Sequence, residues 1–76
     1  MGTVLPPLTP WQASILMSKV IDGLKAGDLE KAGSSWGLVT THLGIGAAQR
    51  LLRFGLVGTS LPTESVDWLK SISMEV

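Results

Sequence analysis

Catalysis by proton transfer or nucleophilic attack rests on a few side-chain types, and this chain is sparing with them. His42 is the only histidine, and there is no cysteine. A Ser-His-Asp mechanism needs an imidazole oriented within hydrogen-bond reach of a hydroxyl. Serines are scattered along the chain, and no spacing singles one out against His42. The histidine falls instead near the end of an expected helix, where a polar or cationic ring complements exposed carbonyls. The acids Asp22, Asp28, Glu30, Glu64, Asp67 and Glu75 form no evident catalytic pair. Asp28 occupies an N-cap position, and Glu64 and Asp67 belong to a first helical turn, where negative charge is favourable. One histidine among scattered carboxylates falls short of a metal site. Gly44-Ile45-Gly46 is too short to cradle a phosphate, follows a helix instead of a strand, and has no adjacent lysine. The expectation is a protein that is not an enzyme and carries no cofactor.

The charges that could recognise a partner are Arg50 and Arg53. They are the only arginines, three residues apart and hence on one helix face. The planar guanidinium engages a carboxylate or phosphate with two parallel bonds. Phe54 follows directly, and Leu52 and Leu56 would supply an apolar border. Tryptophan is a favoured interface anchor. Trp11 lies off the main apolar stripe of its helix and Trp68 at the edge of its face, whereas Trp36 sits on a stripe and is assigned to the core. Arg50, Arg53, Phe54, Trp11 and Trp68 are therefore the candidate partner-binding residues.

The same arginines open an alternative. The second and third helices are expected to meet at a three-residue glycine-containing turn, with Arg50 and Arg53 projecting from a recognition helix as in a helix-turn-helix. Two features oppose this. Thr40 and Arg50 occupy positions where that motif wants a small apolar and a buried aliphatic residue. Two arginines in a chain of formal net charge +0 also make a thin electrostatic footprint for nucleic acid.

Composition points toward association. A chain of 76 residues makes one domain and buries only a little over about 60% of its unfolded surface. Domains of this size commonly rely on disulfides, a metal or a partner chain. Without cysteine the partner chain remains, and 45% hydrophobic residues with a mean hydropathy of +0.36 supply surface for one. Zero net charge adds little repulsion between copies. A protein partner or a homo-oligomer is expected, acting through an apolar helix face.

A membrane-active helical protein is the second alternative, because Ala32 to Gln49 carries no formal charge. Half of that stretch is small or polar, short of the roughly 20 predominantly apolar residues a span requires. The N-terminus lacks the basic region and uninterrupted apolar core of a secretory signal. With no cysteine, the expected location is the cytoplasm. Met1-Gly2 invites a myristoylation reading, but Pro6 stands where Ser or Thr is wanted. Pro7-Leu8-Thr9-Pro10 has the form of an SH3 ligand without a flanking arginine, and Met74-Glu75-Val76 has the form of a weak PDZ ligand.

The elements that must position these residues read as all-α: a small bundle of about four short helices. A Pro-rich extended arm over residues 1–9 precedes a single helical domain over 10–76. Thr9-Pro10-Trp11-Gln12 predicts a capping box with proline at the first helical position. From there Ala13, Leu16, Met17, Val20, Ile21 and Leu24 recur at helical spacing to about Lys25, and Gly27 closes the helix. Asp28 starts a second helix with the stripe Leu29, Ala32, Trp36, Val39 and Leu43. The short connection predicts an antiparallel hairpin. Gly33 and Gly37 flank that stripe and are expected to admit a close neighbouring helix. A third helix, about Ile45 to Phe54, should turn Ile45, Ala48, Leu51 and Leu52 inward and Gln49, Arg50 and Arg53 outward. A last helix follows Leu61-Pro62-Thr63-Glu64, lined by Val66, Leu69 and Ile72 to about Ser73.

Overall fold

The computed structural model describes residues 9–74. The arm over residues 1–8, with the readings placed on it, lies outside the described residues, as does the end of the Met74-Glu75-Val76 motif. Among the described residues the chain is all-α, with helices α1 (Pro10–Ala26), α2 (Leu29–Leu43), α3 (Ile45–Gly55) and α4 (Thr63–Ser71) and no strand.

Local chemistry sets the first two helices. The Gln12 amide donates to Thr9 Oγ1 at 3.1 Å and the Thr9 amide donates to Gln12 Oε1 at 3.1 Å, so both halves of the capping box form. At the other end Gly27 takes the left-handed φ of 72°, and the Asp28 amide reaches back to the Gly23 carbonyl at 2.8 Å. That is a Schellman closure, which glycine allows without a Cβ penalty. Asp28 then caps α2 by accepting from the Lys31 amide at 3.1 Å. Two residues thus end one helix, start the next and fold the pair back into a hairpin.

The hairpin is tight at an unexpected place. A Cβ on the buried Gly23 would lie 2.9 Å from both the Ala32 nitrogen and the Asp28 carbonyl oxygen, so α1 meets α2 backbone to backbone. The close approach expected at Gly33 and Gly37 does not occur. Nothing lies within 4 Å of a Cβ built on Gly37, and only Trp68 Nε1, at 4.0 Å, approaches one built on Gly33. Both glycines sit about 100° round from the residues that face α1. The small residue on the stripe itself, Ala32, is the one that lets the neighbour in.

The core draws on every helix: Met17, Val20 and Leu24 from α1, Ala32, Trp36 and Val39 from α2, Ala48 and Leu52 from α3, and Leu69 from α4, with Met74 beyond it. Trp68 packs edge-on against Trp36 with ring centroids 6.2 Å apart and planes at 78°. It is half-buried against the core, which removes much of its ring from the free surface expected of a partner contact.

Polar side chains fasten the last helix. The fully buried Ser65 donates through Oγ to the Leu24 carbonyl near the end of α1. Gln49, expected outward, instead donates from Nε2 to the Ile72 carbonyl at 3.0 Å and satisfies one of the carbonyls that α4 leaves unpaired. Helix α4 ends at Ser71, earlier than expected, in a second Schellman closure: Ser73 adopts φ 65° and the Met74 amide donates to the Leu69 carbonyl at 3.0 Å.

Helix α3 departs furthest from its expected orientation. Ala48 and Leu52 are fully buried, but Ile45 is 54% and Leu51 48% exposed. The helix spans only 11 residues and meets the bundle along the narrow line from Ala48 to Leu52. Leu51 lies about 100° round from Leu52, and Ile45 stands at the chain reversal that begins the helix. Leu52, being inside, also cannot border the arginine face as expected.

Candidate functional site

A single residue, Gly44, joins α2 to α3, where three were expected. Its φ of 84° and ψ of 153° lie in a region open essentially to glycine alone. The chain therefore changes direction abruptly, and the three- or four-residue turn of a helix-turn-helix has no counterpart here. The bend brings α3 beside α1 without closing the seam between them along its full length.

An open groove of about 420 Å³ occupies that seam. Pro10, Ala13, Ser14, Met17 and Ile21 of α1 form one side, Leu51, Phe54 and Gly55 of α3 the other, and Leu43 at the end of α2 lies between. None of these residues is charged, and Ser14 is the one polar side chain among them. The helices come together at Gly55, where an added Cβ would stand 2.6 Å from Ile21 Cδ1. On the α3 side Phe54 is 83% exposed, and Trp11, next to the groove-lining Pro10, is 74% exposed. Val57, three residues past Phe54, is 77% exposed. Single exposed apolar side chains are ordinary, whereas an exposed aromatic side chain at the edge of an apolar depression marks a contact surface.

The candidate partner residues are thus separated by the fold. Phe54 lines the α1–α3 groove, and Trp11 is exposed on α1 one residue past the lining Pro10. Arg50 and Arg53 are exposed on α3 and do not line it. By helical register Arg50 is about 40° from Phe54, at the rim, and Arg53 about 100° from it. Trp68 lies with Trp36 instead.

Leu51, Ile21, Ser14 and Leu43 are groove residues that the sequence reading left out of the site. One signal was available. Ala47, Leu51 and Phe54, spaced four and three, extend the apolar arc of α3 beyond the stripe that Ala48 and Leu52 bury.

His42 is half-buried in the last turn of α2. Among the described residues no three His, Cys, Asp or Glu side chains gather where they could hold a metal ion, and no helix is long and apolar enough to cross a membrane. No family model matches the chain, and no curated protein or solved structure matches it either.

Proposed function

We propose that this chain is a non-enzymatic interaction module, or a small assembly subunit, that binds protein through the apolar groove between α1 and α3. Phe54 and Trp11 are its aromatic contacts, and Arg50 is the charge at its rim. The observation that carries this reading is Phe54, 83% exposed at the edge of an uncharged groove that it helps to line. Fully burying a phenylalanine side chain against a partner is worth about 1.5–3 kcal/mol, and the fold leaves most of that unrealised. A rim arginine fits the usual anatomy of an interface, apolar at the centre and polar at the edge. The cysteine-free composition suits a reducing compartment such as the cytoplasm.

The test is a photo-reactive amino acid placed at Leu51, inside the groove, or at Leu38, which is exposed on α2 and does not line it. In cells that make the protein, position 51 should give adducts with a discrete protein and position 38 should not. Equal labelling from both positions, or none from position 51, overturns the proposal.

A further inference from the structure

We infer that the occupant of the groove is a second copy of this chain, docked about a two-fold axis so that Phe54 of each protomer enters the groove of the other. The inference rests on the reading of the groove as a protein-binding face and names its partner. Three observations lead there. The exposed Phe54 and the groove it helps to line belong to one face of one molecule, the arrangement that a self-complementary, isologous contact requires. The groove lining is uncharged and the chain has a formal net charge of +0, so pairing two copies strands no lining charge in the interface and meets no net repulsion. A basic partner, by contrast, finds no opposite charge in the lining.

The third observation is area. An aromatic side chain buries roughly 150–250 Å². With Trp11 74% and Phe54 83% exposed, the two leave about 240–390 Å² of that to a partner, a third to a half of the roughly 800 Å² each side gives to a stable interface. Leu51, Val57 and the groove walls surround them. The groove's volume of about 420 Å³ falls in the range of about 300–1,000 Å³ typical of ligand pockets, room for a ring and its neighbours. A chain with no cysteine for disulfides also gains from apolar surface buried between copies.

Light scattering of the full chain from about 1 to about 200 μM, bracketing micromolar dimers, is the test. The mass should rise from 8.0 kDa toward twice that value. Phe54→Lys should weaken pairing by about thirtyfold or more, the size of an interface hot spot, with helicity unchanged by circular dichroism. Leu51→Lys should act in the same direction, and Leu38→Lys should pair like the unaltered chain. A mass held at 8.0 kDa throughout, or a dimer indifferent to both groove variants, overturns the inference. A monomer that still gives position-51 adducts with a different protein overturns self-pairing alone. A monomer with no such adducts overturns the binding reading as well.

Discussion

Helix α1 meets α2 and α3 in opposite ways. Toward α2 it offers Gly23, which stands against the Ala32 backbone with no room for a methyl, and nearby its Leu24 carbonyl takes the Ser65 hydroxyl. Toward α3 it offers Pro10, Ala13, Ser14 and Met17, and the groove between the helices stays open. Both seams are apolar, so hydrophobicity does not separate them. Matched small residues let backbones touch, and interiors packed this way tolerate little change in volume. Leu51 and Phe54 find no complementary hollow on α1 and stay exposed.

The largest expected difference comes from removing core volume on the two sides. Leu24→Ala should destabilise by about 2–5 kcal/mol, because the cavity it leaves is enclosed. Met17→Ala should fall near the low end, about 2 kcal/mol, because its cavity merges with a groove already open to water. Urea titrations of both compare the seams directly, and equal losses would erase the distinction. Next comes Gly23→Ala, which should destabilise by about 1–3 kcal/mol through overpacking against α2. A rise in melting temperature would mean the hairpin is looser than described. Thr9→Ala should lower stability by about 1 kcal/mol, the usual loss for an N-cap side chain, measured by the same titration. Smallest and of opposite sign is Gly37→Ala. With open space at that position, a methyl should stabilise α2 by up to about 1 kcal/mol through helix propensity, and a fall in melting temperature would reveal an unseen neighbour.

Much of the fold was legible because its signals are local. Thr9 with Gln12, Gly27 and Asp28 each act within a few residues, so their chemistry is written in adjacent letters. The α2 stripe through Ala32, Trp36 and Val39 was equally readable, since periodicity reports which face is apolar. Periodicity does not report which neighbour a face will find. Gly23 resembles any mid-helix glycine until Ala32 is placed against it. Ser65 and Gln49 look like surface residues, and their bonds to Leu24 and Ile72 span 41 and 23 residues. On α3 the apolar arc was visible, but only the packing of the helices decides that Leu52 is covered and Leu51 is not. Phe54 and Trp11 were legible as candidates by residue type, whereas the groove that Phe54 lines, and that leaves Trp68 aside, is a tertiary property.

The central claim is that Phe54 serves a contact between molecules and does nothing for the isolated fold. Thermal melts of the unaltered chain and of Phe54→Lys test it most directly, each at about 1 μM and about 200 μM, since an associating protein melts at a temperature that depends on its concentration. A lysine there is a good helix former and suits the C-terminal end of α3. At the low concentration the two should agree to within about 0.5 kcal/mol, as for an exposed substitution. At the high one only the unaltered chain should gain stability. A variant that melts lower by the same margin at both concentrations would place Phe54 in the fold itself and contradict the account.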